Sequence, residues 1–282
     1  GPGTRVYGAV AFIIFQCVRL ALILFLVSEL IHQLTGLDYW ICIIGGGAFV
    51  AFYTVAGGIE AVVWTDVVQT VILALGGAVC LLIVVIKLPG GFGQIISEAS
   101  EAGKFAFAEY DAESGRLLPA SWNFTFMQKT ALMMLLVGLS QWMYEYTCNQ
   151  NVVQRYCASR TIRDARKSMW ICCFTSIPIW AFFMFLDTSF WVFFNQFPEP
   201  ETTAMLAGET NAEGVLPFFV LNYLPMGLAG LVIAAVLAAA MSSLDSSINA
   251  IATVSVVDIY RRHFVKDRDD KHYLNAARNI AI

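Results

Sequence analysis

The chain has 282 residues, 58% of them hydrophobic and 13% charged. A soluble domain carries about 25% charged residues, so the composition excludes an ordinary water-soluble globule and fits a protein whose outer face meets lipid. The net charge of −4 identifies no partner, because charge placement matters more here than its sum.

A helix needs about 20 apolar residues to cross a bilayer. Six segments are expected to do so: residues 7–29, 39–56, 66–86, 126–148, 169–194 and 226–257. The chain opens with Gly1-Pro2-Gly3 and enters the first span at once. Gly57-Gly58 forms a tight turn between the second and third spans. Polar, acidic stretches at 89–123 and 198–217 separate the third span from the fourth and the fifth from the sixth. The cysteines (17, 42, 80, 148, 157, 172 and 173) lack paired metal-ligand spacing and read as small buried hydrophobes.

Arg155, Arg160, Arg163, Arg166 and Lys167 follow the fourth span, and Arg261, Arg262, Lys266, Arg268, Lys271 and Arg278 follow the sixth. Stretch 198–217 has no Lys or Arg and carries Glu199, Glu201, Glu209 and Glu213. Basic loops stay in the cytoplasm, so segments 154–168 and 259–275 are expected inside, and 89–123 and 198–217 outside. Arg5 before the first span agrees. After Lys271, residues 275–282 read as the foot of a further helix, so the chain is expected to be an internal piece lacking helices at both ends.

Ionisable and polar groups inside a span are costly and point to function. In the sixth span, Ser242 and Ser246 share a face with Ala239, and Ser243 and Ser247 form a neighbouring row. Hydroxyls beside small residues suit a hard cation; a small-residue packing face is the plain alternative. Asp245 favours the ion, since packing needs no carboxylate. Asp66 opens the third span with Gln69 one turn on, and reads equally as a carboxylate at a helix N-terminus or as an ion ligand. Arg19 lies mid-span with Gln16 one turn before it, and either pairs with a carboxylate of the protein or meets an anionic solute.

Three blocks in order, Tyr53-Thr54 with Gly57 through Gln69, Asn149-Gln150 with Val153 through Tyr156, and Ala239 through Asn249 with Asp258-Ile259-Tyr260, resemble the sodium:solute symporter family. The resemblance covers essentially the whole chain. It implies an all-α membrane protein, a piece of a LeuT-type inverted-repeat transporter with about six spans. It also implies sodium-coupled symport of a small organic solute, with no enzymatic activity. Carried over by motif, Ala239 (as a carbonyl), Ser242 and Ser243 would hold sodium. Asp66, Ser246 and position 245 match an additional sodium site, where Asp245 departs from the usual serine or threonine. Glu145, in the Trp142–Cys148 stretch, departs from the sugar-transporting pattern. Arg19, with Gln16, falls where sialic acid symporters place a substrate-binding arginine, so an acidic solute such as sialic acid is expected. Sugar or monocarboxylate symport, or a transporter-like sensor with a signalling domain elsewhere, are the alternatives. The expected partners are sodium ion, the solute and the lipid bilayer of a bacterial inner or plasma membrane, with multiple passes and no nucleic acid.

Overall fold

The computed structural model describes residues 1–106, 108–111, 116–125 and 130–281. It is almost wholly helical: α1 (Pro2–Thr35), α2 (Tyr39–Lys87), α3 (Gly91–Glu101), α4 (Ala131–Thr147), α5 (Gln150–Cys157), α6 (Ile162–Gln196), α7 (Pro200–Leu206), α8 (Val215–Tyr223), α9 (Met226–Val254) and α10 (Asp270–Ile280). Strands β1 (Ala108–Asp111) and β2 (Arg116–Pro119) form one antiparallel hairpin. After α9 the backbone continues with π-helical hydrogen bonding through Ser255–Phe264. The stretches read as polar loops thus hold α3 and the hairpin at 89–123, and α7 with a short turn at Ala212–Gly214 in 198–217.

Four helical stretches among the described residues are long and apolar enough to cross a membrane: Pro2–His32, Tyr39–Lys87, Ile162–Gln196 and Met226–Phe264. The difference from six spans has two physical sources. The 49 residues of α2 are two helical segments meeting at Gly58, whose backbone is non-helical, so this one stretch covers both the second and the third expected span. The start of the expected fourth span, at Phe126–Gln128, lies outside the described residues, and α4 has 17. Its first turn is capped by Thr130, whose hydroxyl accepts from the Met133 N–H at 3.3 Å.

At Gly57-Gly58, where a tight turn is expected, the two helical segments of α2 meet at a non-helical residue. Gly58 has φ 60° and ψ −160°, a conformation glycine adopts at little cost. A Cβ on Gly57 would stand 2.2 Å from that of Ala61, so the helix resumes only because the neighbouring residue is also a glycine. Helix α10 starts five residues before the expected Asn275. Asp269 caps it, its carboxylate accepting from His272 N–H at 3.2 Å.

The fold divides into two compact units. One holds α1, α2 through Ala74, α5, and the chain from Ile233 onward. Its interior contains Val50, Val62, Leu244, Ala250 and Ala252, and Arg5 at the start of α1 pairs with Asp258 at 3.5 Å. The other runs from Leu75 to Asn149 and from Arg160 to Val232. There Phe190, Phe193 and Phe194 of α6 pack with Phe219 and Tyr223 of α8, mostly edge-on, and the Lys87 ammonium lies 5.5 Å from the Tyr223 ring centre.

Ile14, Phe15 and Val18 of α1, and Phe174, Ile177 and Trp180 of α6, are each at least 60% exposed. Water would not tolerate such continuous apolar faces and lipid does. Exposure of the cysteines follows the same logic: Cys42 and Cys80 are buried, whereas Cys17, Cys148, Cys157 and Cys172 are exposed and Cys173 is half-buried. Being read as uniformly buried is corrected by the apolar surroundings themselves, which here are an outer face as well as a core.

Candidate functional site

All the site residues expected from the sequence lie in the first of the two units. Helix α9 presents Ser242, Asp245 and Ser246 at spacings of three and four, which places them on one face. Asp66 comes from α2, eight residues beyond the Gly58 break. The Ser242 hydroxyl donates to Asp66 Oδ1. Arg155 of α5 donates from Nη2 to Asp66 Oδ2 at 2.5 Å and to Ser246 Oγ at 2.7 Å. Asp66 and Arg155 are 18% and 32% exposed in their side chains, so the pair is largely withdrawn from water.

Asp245 is fully buried. Its partners are neutral hydroxyls: Tyr53 of α2 donates to Oδ2 at 2.9 Å, and Ser246 lies 3.2 Å from Oδ1. Among the described residues the ion pairs are Arg155–Asp66 and Arg5–Asp258, so Asp245 carries no guanidinium or ammonium partner. Gln69 is buried one turn after Asp66, and its Oε1 has no hydrogen-bond partner among the described residues. The result is a compact group of hard oxygen donors, two carboxylates and three hydroxyls, suited to a small monovalent cation.

The sequence-derived set is only partly assembled. Among the described residues, no hydrogen bond ties Ala239 or Ser243 to the Asp66–Arg155 pair; the Ser243 carbonyl accepts from the Ser247 hydroxyl at 2.8 Å. Gln16 and Arg19, three apart on α1, are joined to the group through Asn151 of α5. Gln16 Nε2 and Arg19 Nη1 are donors and the Ser246 carbonyl is an acceptor, which fixes the Asn151 amide. Its Oδ1 accepts from Gln16 at 3.0 Å and from Arg19 at 3.2 Å, and its Nδ2 donates to the Ser246 carbonyl at 3.1 Å. Arg19 therefore meets a neutral amide of its own chain. Gln16 is buried, and its Oε1 is left without a partner.

Sequence reasoning missed three members of this group. Tyr53 stood in a motif with no assigned role. Arg155 was counted as a cytoplasmic charge and as part of the second motif block, with no role at the site. Asn151 adjoined the Asn149-Gln150 pair and was passed over. The signal for the last two was present, since Asn151 and Arg155 are four apart and share a helical face.

A sequence model described as the sodium:solute symporter family matches residues 4–282. The chain is 29% identical to the sodium/sialic acid symporter SiaT of Proteus mirabilis (strain HI4320), over 99% of this chain and 53% of that protein. It is 30% identical to the sodium/sialic acid symporter NanT of Aliivibrio fischeri (strain ATCC 700601 / ES114), over 99% and 52%. With the human sodium-coupled monocarboxylate transporter 1 it shares 27%, over 92% and 40%. The chain thus spans about half the length of the sialic acid symporters it matches. Among solved structures, it superposes with a TM-score of 0.86 and 27% identity on the substrate-bound outward-open state of a Na+-coupled sialic acid symporter, described as revealing a novel Na+-site. That match covers 99% of this chain and 56% of the other.

Proposed function

The chain belongs to the sodium:solute symporter family, with the all-α, LeuT-type fold of a membrane transporter, and on that premise we propose that its protein performs sodium-coupled symport of a small acidic solute, with sialic acid as the leading candidate. The observation that carries the reading is the joining of the oxygen-rich group of Asp66, Ser242, Asp245 and Ser246 to Arg19. Sodium is the coupling ion, a transported substrate rather than a resident cofactor. Its ligands in this reading are Ala239, Ser242, Ser243, Ser246, Asp66 and Asp245. The Arg155 guanidinium is then the ion's competitor at Asp66, holding that carboxylate in place when sodium is away.

Arg19 and Gln16 form the solute end. A carboxylate would give the planar guanidinium a two-pronged, charge-assisted partner in place of a single neutral amide. The protein is multi-pass in a cell membrane, with Arg5 and Asp258 meeting at the cytoplasmic side. It acts by alternating access and is not an enzyme. Its partners are sodium, the solute and lipid, with no nucleic acid.

The test uses the full-length protein in proteoliposomes. Labelled sialic acid should accumulate under an inward sodium gradient and fail to do so when potassium replaces sodium. Accumulation that ignores sodium would refute the coupling. Sodium-driven uptake of lactate in preference to sialic acid would transfer the reading to monocarboxylates.

A further inference from the structure

One residue of the site has a side chain that touches both the residues assigned to the ion and those assigned to the solute. Asn151 is 4% exposed. Its side-chain oxygen takes hydrogens from Gln16 and Arg19 on α1, and its side-chain nitrogen gives one to the Ser246 carbonyl on α9. Its backbone carbonyl accepts from Arg155 Nη1 at 2.9 Å, while Nη2 of the same guanidinium holds Asp66 and Ser246. The carboxamide accepts through its oxygen on one side and donates through its nitrogen on the other. Aspartate at this position could serve α1 but not the Ser246 carbonyl, and leucine could serve neither.

We propose that Asn151 is the positioning residue that couples the solute end of the site to the ion end, an inference that rests on the symport reading. The physical argument runs through shared hydrogen bonds. An ion that orders Asp66 and Ser246 fixes the carbonyl that Asn151 binds. With that bond made, the amide oxygen is held toward α1, and Arg19 and Gln16 are oriented before any solute arrives. Gln16 Oε1, buried and without a partner among the described residues, is then an acceptor beside the guanidinium for a hydroxyl or amide hydrogen of the acid. By linkage the effect is reciprocal: a perturbation at Arg19 must be felt at the ion end, and Asn151 is the path.

A double-mutant cycle tests this without any solute. The full-length protein, purified in detergent, is titrated with sodium and followed by tryptophan fluorescence and thermal stabilisation. The proteins are wild type, Arg19→Gln, Asn151→Leu and the double variant, with Asn151→Asp and its Arg19→Gln double alongside. Arg19→Gln should move the half-saturating sodium concentration about 5-fold when Asn151 is present and hardly at all in either Asn151 background. Asn151→Asp keeps the acceptor for α1 and loses the donation to α9, so it carries the test should the leucine variant not fold. An equal shift in all backgrounds would overturn the inference, because a merely structural asparagine gives additive effects.

A second arm uses sialic acid. In wild type, sodium should lower its half-saturating concentration, and in Asn151→Asp that ratio should collapse toward one. A ratio that survives in Asn151→Asp overturns the inference. If sialic acid fails to bind wild type while sodium still registers, the solute reading fails and the sodium cycle alone decides Asn151. If sodium has no effect on wild type, the symport reading falls and this inference falls with it.

Discussion

The Asp66–Arg155 pair offers the sharpest quantitative test of the ion group. Its atoms lie 2.5 Å apart, and the two side chains are 18% and 32% exposed. Removing one member of a fully buried pair costs about 3–5 kcal/mol, whereas an exposed pair contributes about 0.2–1 kcal/mol. The partial exposure places this pair between those limits, near the roughly 1.5–3 kcal/mol of a hydrogen bond to a charged group. Asp66→Asn should cost about 2 kcal/mol, since Arg155 keeps two further acceptors, the Ser246 hydroxyl and the Asn151 carbonyl. Arg155→Gln should cost more, about 3 kcal/mol, because Asp66 is left with the Ser242 hydroxyl and its charge loses its counterion. The double variant should fall short of their sum by about 2 kcal/mol. The assay is the unfolding free energy of the full-length protein, read from denaturant titration in mixed micelles, first in potassium and then in sodium. Sodium that competes for Asp66 should shrink the interaction energy. A value under about 0.5 kcal/mol in potassium, the level of a solvent-exposed pair, would refute the pairing as a stabilising element. A value unmoved by sodium would remove Asp66 from the ion's ligands.

Other outcomes follow from the same geometry. Ser243→Ala, which removes a hydroxyl that the proposed reading gives to sodium, should raise the sodium concentration for half-maximal uptake; unchanged sodium dependence in Ser242→Ala, Ser243→Ala and the pair would exclude α9 from the proposed site. Asp245→Ser should preserve uptake and alter its sodium stoichiometry or pH profile, as measured by charge-to-solute flux ratios, because a buried carboxylate with neutral partners is replaced by a hydroxyl. Arg19→Lys keeps the charge and loses the planar fork, so it should weaken competition by acids markedly and leave that by neutral analogues unchanged; equal weakening of both would make Arg19 a structural residue. A cysteine near Gly208 should react with an impermeant thiol reagent in intact cells and one near Arg163 should not, as the placement of basic residues requires.

What the sequence made legible and what it hid have different physical origins. Helices were legible because apolar runs of spanning length are a one-dimensional signal, and the LeuT-type fold was implied by the resemblance of the three motif blocks. Their boundaries were less so: Gly57-Gly58 announced the break in α2, but nothing in composition says how few residues separate the helical segments on either side. Asp66, Asp245 and the α9 serines were legible for a different reason. Each is a polar group in a segment that cannot solvate it, and so each advertised a partner. The identity of those partners was not available, since it depends on which helices meet. Arg19 illustrates the point. Alone on α1, it pointed to a carboxylate, either of the protein or of a solute; in the fold, it meets the Asn151 amide, itself anchored to the Ser246 carbonyl. Among the described residues the Asn151 oxygen is the acceptor seen for this guanidinium, which carries five donors. That imbalance, together with the unpartnered Gln16 oxygen beside it, is what an anionic solute bearing its own hydrogen-bond donors would correct. In the proposed coupling, the same amide would carry that change to Ser246 and Asp66.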